Sequence, residues 1–428
     1  MSLAWTQHLI NRSEENKFTM KKLRVLNMIG GIGSMTIGAK EQGYEVVGNI
    51  EWRPYYHTGT FEYNFPDAFM VKTLAHLTPE QEARCQDLDL IIGHTECGVY
   101  SNLNNNKEAI KDKNKNKGGI PQFVECVQRF RPKFFAMDNL PKSLTAATWE
   151  YWNTELPDYD IHFEWINNYG YGNIQKNRKR LFVIGSKKEL GFYFIPNEFD
   201  HNETIEERLE TLSENAPNNE KLDPDLIYPR FTRYNFEKEF CDKDIEVNRL
   251  TLRELQGYIK DIPADTNFFC YNRKGRIVKR IGYGRVSLNK HSQVLIGNPL
   301  QFRADDNYPF TIRERARIQG CPDDFIFLPL GVTKMGRDYQ FLLKQTGKFM
   351  PTEFCSYLTA YIKDFIEGSC GSVLLIGERK LKPNIFVDSA KYNYCQNVGY
   401  TNQSKVCEYC GSKEFCQSQK KAELLWKD

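Results

Sequence analysis

A thiol, a carboxylic acid and two guanidinium groups follow one another along this chain, each beside a short apolar run. Cys97 lies just past a run of this kind in IIGHTECGVYS, Asp138 closes one in FFAMDNLPKSL, and Arg178 and Arg180 open another in YGYGNIQKNRKRLFVIG. Runs this short and apolar suit strands of a sheet covered on both faces. If three such strands lie together, the four side chains converge at one edge of the sheet. A sulfur anion there is a nucleophile, a nearby cation lowers its pKa, and an acid steadies the ring or carbonyl under attack. Taken singly, a cysteine after a strand is more often buried filler and Asp-Asn more often a turn or cap, so convergence carries the reading.

The elements that must position these groups begin at Leu23. LRVLNMIGGIGSMTIGAKEQGYEVVGNIEW reads as strand, glycine-rich turn, helix and second strand. Gly30, Gly31 and Gly33 allow backbone to approach a ligand at a helix N-terminus, and Glu51 ends the next strand where a carboxylate accepts ribose hydroxyls. Further strands are expected at Leu88 to Ile92, Phe134 to Met137 and Leu181 to Ile184, with helix-length segments between them. This alternation predicts an α/β fold, an open and largely parallel Rossmann-like sheet with its chemistry in the loops after the strands. Beyond Lys188 the pattern gives way to an acidic stretch and then to irregular segments rich in aromatic and basic residues up to about Arg303. Helical periodicity returns at Ile312 to Gln319 and Thr352 to Ile366. A hinge, a smaller second lobe and a return to the first lobe follow, each lobe burying its own core.

Composition narrows the class. The chain has 428 residues and a net charge of +3, too small by itself to announce a nucleic-acid partner. The charge is concentrated: residues 107 to 117 hold five lysines against two acids, and residues 273 to 290 hold seven basic residues and no acid. No run of eighteen or more apolar residues occurs and the N-terminus lacks a signal-peptide core, so a cytoplasmic protein without a membrane span is expected. Twelve cysteines spread through so large a chain read as reduced thiols. Four of them, Cys395, Cys407, Cys410 and Cys416, crowd the tail. Cys407-Glu-Tyr-Cys410-Gly has the form of a zinc knuckle, which predicts a structural zinc, with unligated thiols as the alternative.

In this order the segments resemble the motif series of the DNA cytosine-5 methyltransferases, over roughly residues 23 to 366. Gly31-Ile32-Gly33 resembles the AdoMet-binding turn, and Glu51-Trp52 with Tyr63-Asn64-Phe65-Pro66 the ribose-binding acid and its following segment. Cys97 matches the cysteine of the Pro-Cys loop, Asp138-Asn139-Leu140 matches Glu-Asn-Val, and Arg178-Lys179-Arg180 matches Arg-x-Arg. PFTIRERARIQGCPDDFIF from Pro309 and QTGKFMP from Gln345 match the two closing segments.

The resemblance implies a class I AdoMet-dependent methyltransferase fold with a target-recognition lobe, acting on double-stranded DNA. The implied bounds are an extension over 1–22, a catalytic domain over 23–188, hinge and recognition lobe over 189–303, a return segment over 304–380 and the cysteine tail over 381–428. It implies that Cys97 adds to carbon 6 of a flipped-out cytosine, that Asp138 bonds nitrogen 3 and the exocyclic amine, and that Arg178, with Arg180 beside it, holds oxygen 2 and lowers the thiol pKa. Ile29, Gly31, Gly33, Glu51, Trp52, Thr73 and Lys348 are the implied donor-binding positions. The expected donor is S-adenosyl-L-methionine and the expected working form a monomer, in a bacterial or phage-infected cell that uses it for restriction-modification or for viral genome protection.

The sequence departs from the pattern around the site. His94-Thr95-Glu96 replaces the glycine and prolines before the cysteine, Asp138 is one methylene short of the usual glutamate, Thr73 replaces an aspartate, and Gln175 is offset by one residue. Lys348 replaces an asparagine beside the donor sulfonium, where a second cation is repelled unless the transferred group carries a carboxylate. Carboxymethyl transfer from carboxy-S-adenosyl-L-methionine is therefore an alternative expectation. A catalytically inactive DNA-binding relative is a further one.

Overall fold

The computed structural model describes residues 21–52, 59–100, 119–241, 249–272, 274–297, 300–334 and 336–368. Strand β1 (Arg24–Met28) leads through the turn at Gly30 to helix α1 (Ser34–Glu41) and strand β2 (Glu45–Ile50). The turn is tight: Gly33 has φ of 92°, and a Cβ on Gly30 would lie 1.8 Å from the Asn27 side chain. Only glycine meets both demands. Strand β3 (Phe69–Val71) and β4 (Leu90–His94) follow, then helix α2 (Ile120–Phe130), β5 (Phe134–Asn139), helix α3 (Ala146–Glu155), β6 (Tyr159–Asn167) and β7 (Lys179–Lys187).

These strands form one seven-stranded sheet in the order β3-β2-β1-β4-β5-β7-β6. The first five in that order are parallel, and β7 runs antiparallel to both β5 and β6. The expected strand at Leu181 to Ile184 is thus present but reversed. Its physical cause is the short link from β6, residues 168–178, which carries no crossover helix, and a parallel return needs a dozen residues or more. The sequence reading also passed over β3 and β6. In β6, YDIHFEWIN buries both faces through most of its length, which blurs the alternation that would reveal it.

Past β7 the chain builds two small sheets, β8 (Ile227–Thr232) with β9 (Arg249–Thr251), and β10 (Thr266–Tyr271) with β11 (Ile277–Val286) and β12 (Gln301–Arg303). Helix α4 (Leu252–Ile259) closes this region, and α5 (Ile312–Ile318), α6 (Arg337–Lys348) and α7 (Thr352–Ile366) carry the chain back to the sheet. Apolar clusters line both faces of the seven-stranded sheet, and a further one joins Ile32, Ile37, Phe61 and Phe65 to Tyr228, Phe231, Phe268 and Phe302 of the two small sheets. The buried guanidinium groups of Arg313 and Arg315 stitch the same seam by donating to the carbonyls of Pro217, Phe325 and Ile296.

Helix α7 docks on α1 where Gly38 leaves no side chain. A Cβ there would sit 2.5 Å from the backbone nitrogen of Ser356, and the Thr359 hydroxyl donates to the Gly38 carbonyl at 3.1 Å. The returning helix therefore clamps the glycine-rich turn from behind.

Candidate active site

The parallel register of β4 and β5 sets His94 beside Asp138. On β7, Phe182 pairs with Asp138, and Arg180, two residues away, shares that face because side chains in a strand alternate. Strand register alone thus gathers an imidazole, a carboxylate and a guanidinium at one sheet edge. Arg180 grips Asp138 with two hydrogen bonds, Nε to Oδ1 at 2.8 Å and Nη2 to Oδ2 at 2.5 Å. His94 Nδ1 also meets Asp138 Oδ2. Asp138 is wholly buried.

Cys97 lies in the loop three residues past the end of β4. The loop is held by Asn139, whose Nδ2 donates to Thr95 Oγ1 at 2.6 Å, and by the adjoining turn in which the Tyr100 N–H donates to the Cys97 carbonyl at 3.0 Å. This brings the sulfur back to the cluster, within the electrostatic reach of His94 and Arg180. Among the described cysteines, Cys97 is the one that is not fully buried.

The electrostatics follow from these contacts. Burial alone pushes the Cys97 thiol up, but the hydrogen bond and charge of His94 and the charge of Arg180 outweigh it and bring the thiol down to about 6. Burial pushes His94 down and Asp138 outweighs it, so the imidazole stands above its ordinary value. Burial likewise opposes ionisation of Asp138, and Arg180 and His94 together hold it below the usual carboxylate range. Arg180 is raised against burial by Asp138 and Cys97.

Two of the expected site residues have partners within the protein. Asp138 was expected to face the substrate ring, yet Oδ1 is taken by Arg180 and Oδ2 by Arg180 and His94. Arg178 was expected to hold oxygen 2 and tune the thiol, but its Nη1 donates to the Leu295 carbonyl at 3.1 Å and its Nη2 to the Phe349 carbonyl at 2.7 Å. Burial and the charge of Arg180 push Arg178 down. Its Nε has no partner among the described residues. Arg180 is the arginine whose charge lowers the thiol pKa. Gln175, despite its offset, joins the segments around the site: Nε2 donates to Gln319 Oε1 at 2.6 Å, and Oε1 accepts from the Leu295 N–H at 2.8 Å.

A cleft beside this cluster is lined by Gly30, Gly31, Ile32, Ser34, His94, Gln345, Lys348 and Phe349. Glu51, buried at the end of β2, accepts the Gly31 N–H at 2.8 Å, and Ile29, with φ of 57°, anchors to the Ile50 carbonyl at 2.7 Å. Trp52 packs on the core at the same strand end, near Gly119 and Ile29. Thr73 follows β3 and bonds His76 Nδ1 at 2.7 Å. Lys348 thus reaches the wall of the cleft from α6.

His94 is the residue whose role the sequence reading missed. It registered only as a break in the family pattern, and its pairing with Asp138 exists only across strands. Residues 107–117 and the tail cysteines Cys395, Cys407, Cys410 and Cys416 lie outside the described residues. Among the described residues, no group of three or more His, Cys, Asp or Glu side chains could hold a metal ion, and no helix is long and apolar enough to cross a membrane.

The model of the C-5 cytosine-specific DNA methylase family matches residues 23–362. The chain is 25% identical to the type II methyltransferase M.NgoFVII of Neisseria gonorrhoeae, over 72% of this chain and 79% of that one. It is 23% identical to M.NgoPII of the same organism, over 82% and 98%. The solved structure of the Entamoeba histolytica methyltransferase EhMeth superposes with a TM-score of 0.52 at 13% identity, over 81% of this chain and 99% of that one, which bears on the fold alone.

Proposed function

Because the chain belongs to the C-5 cytosine-specific DNA methylase family, and so transfers a methyl group from AdoMet to DNA cytosine, we propose that Cys97 is its nucleophile and that His94, Asp138 and Arg180 prepare the sulfur. The observation that carries this assignment is the meeting of thiol, imidazole, carboxylate and guanidinium at the carboxyl edge of β4 and β5, beside the glycine turn. Carbon 5 of cytosine is a poor nucleophile. Addition of the Cys97 sulfur to carbon 6 moves electron density onto carbon 5 and makes it reactive. The base must leave the duplex stack to reach Cys97, which lies in a loop over a buried cluster.

The cleft suits a sulfonium donor bearing an amino acid and a ribose. Gly30, Gly31, Ile32 and Ser34 line it, and the Glu51 carboxylate stands at the strand end where ribose hydroxyls are bound in folds of this kind. Lys348 is then placed to pair with the donor's amino-acid carboxylate. Bound there, the donor supplies an electrophilic methyl group. Arg178 braces the loops of Leu295 and Phe349 around the cleft, and its buried Nε is a donor suited to the oxygen of the base.

Residues 189–303 form the target-recognition lobe in this reading. The support is the hairpin of β10 and β11, which carries Lys274, Arg276, Lys279 and Arg280 with Phe269 and Ile277 exposed beside them. The spacing of the tail cysteines supports a structural zinc, and less than about one zinc per two chains in purified protein removes it.

A second reading, carboxymethyl transfer from carboxy-AdoMet, has one observation in its favour, Lys348 on the wall of the cleft, and none of the named relatives behind it. The test is incubation of duplex DNA with either donor, digestion to nucleosides and mass analysis. We expect 5-methylcytosine from AdoMet and no product from Cys97→Ser. A wild-type chain that modifies nothing with either donor leaves the inactive DNA-binding reading, and a heavier product from the carboxy donor alone replaces methyl transfer.

A further inference from the structure

We propose that Asp138, His94 and Cys97 form an acid–imidazole–thiol triad in which His94 takes the sulfur proton, so that Cys97 rests as a thiolate paired with an imidazolium. The inference deepens the assignment of Cys97 as nucleophile and rests on it for its use in methyl transfer, but the state of the thiol is measurable without DNA or donor.

The proton positions follow from the hydrogen bonds. Asp138 is locked by two bonds from Arg180 and cannot carry a proton there without losing one of them. It is a carboxylate and accepts only. The proton between Asp138 Oδ2 and His94 Nδ1 therefore belongs to the histidine. Arg180 Nη2 lies 3.2 Å from the same nitrogen, so both cations share one carboxylate oxygen and neither donates to the other. With Nδ1 committed as a donor, the opposite edge of the ring is the acceptor left for the sulfur, three residues on in the loop that follows, and His94 and Cys97 act on each other electrostatically. This is the division of labour of an Asp-His nucleophile triad: the acid fixes tautomer and orientation, and the imidazole moves the proton.

His94 pairs with a buried carboxylate at the start of the loop that carries Cys97, and its own side chain, 12% exposed, lines the cleft. The charged groups facing it are Asp138 from β5, Arg180 from β7 and Cys97 from its own loop, with Lys348 of α6 on the same cleft wall. Asp138 and the thiolate favour the imidazolium, and Arg180 is already neutralised by Asp138. Asp138 acts through His94 and is a positioning residue, whereas His94 is the group that exchanges a proton with the reacting sulfur.

The step balances. The S–H bond of Cys97 breaks and its proton joins the imidazole. The sulfur pair forms the bond to carbon 6, and the carbon 5–carbon 6 π pair moves toward carbon 5, which forms its bond to the methyl carbon as the sulfonium–methyl bond breaks. The proton on carbon 5 then leaves to a solvent base, the double bond re-forms, and the departing sulfur returns as a thiolate to the imidazolium.

The test is the pH profile of Cys97 alkylation by iodoacetamide in the full chain, read at the Cys97 peptide by mass spectrometry. The midpoint is the readout, because a more basic thiolate is intrinsically faster and absolute rates mislead. The wild-type midpoint is expected near 6, and His94→Asn should raise it by more than about one pH unit, toward the free-thiol value near 8.5, with Arg180 still in place. In the methylation assay His94→Asn should recover activity relative to wild type between pH 7 and pH 9. A wild-type midpoint above about 8 overturns the triad without any variant, and so does an unmoved midpoint in His94→Asn. Absence of methylated product from wild type overturns the functional assignment alone and leaves the alkylation profile as it was.

Discussion

Replacing Asp138 with asparagine probes the electrostatic centre of the site, because the side chain keeps its size and loses its charge. Asp138 has no solvent exposure, and it accepts two hydrogen bonds from Arg180, at 2.8 and 2.5 Å, and one from His94. Its amide replacement turns one acceptor into a donor that faces a guanidinium, and it leaves Arg180, 7% exposed, without a counter-charge. Breaking a buried ion pair from one side costs about 3–5 kcal/mol, so Asp138→Asn should lose about that much in urea unfolding at pH 7. The loss must also depend on pH in one direction. The folded carboxyl lies below its unfolded value, so its stabilisation is complete above the unfolded pKa of about 4 and disappears as pH falls through the lower folded value. The wild-type advantage over Asp138→Asn should therefore be constant from pH 8 to pH 6 and shrink in acid. His94, relieved of its partner, should drop toward neutrality and carry the thiol midpoint upward with it. A stability difference under about 1 kcal/mol at pH 7, or one that grows as pH falls, would refute the reasoning.

Two other substitutions probe how the site is held. Asn139→Ala removes the hydrogen bond from Asn139 Nδ2 to Thr95 Oγ1 and loosens the loop that carries Cys97, so methyl transfer should fall about tenfold or more, with the larger change in kcat; steady-state kinetics on duplex DNA check this. Gly38→Val forces a side chain against the Ser356 backbone and should cost about 1–3 kcal/mol or more in unfolding free energy as α7 is pushed off α1, measured by denaturant titration at unchanged m-value.

Much of this protein is legible in one dimension because its determinants are local. The glycines at 30, 31 and 33 meet steric demands within a single turn, the apolar runs of β1, β4 and β5 report burial on both faces, and α5 and α7 begin and end close to their periodic stretches. The order of Cys97, Asp138 and the Arg178–Arg180 pair along successive strands was enough to expect that thiol, acid and guanidinium meet. Which of them touch was decided in three dimensions. The reversal of β7 depends on how a short link can turn, and that reversal, with the pleat, puts Arg180 on Asp138 and sends Arg178 to the carbonyls of Leu295 and Phe349. His94 carried no local signal at all, because a histidine at a strand end gains its meaning from the residue hydrogen-bonded beside it in the neighbouring strand, 44 positions away. Sequence spacing specifies what lies on one strand, and only sheet register specifies what lies across from it.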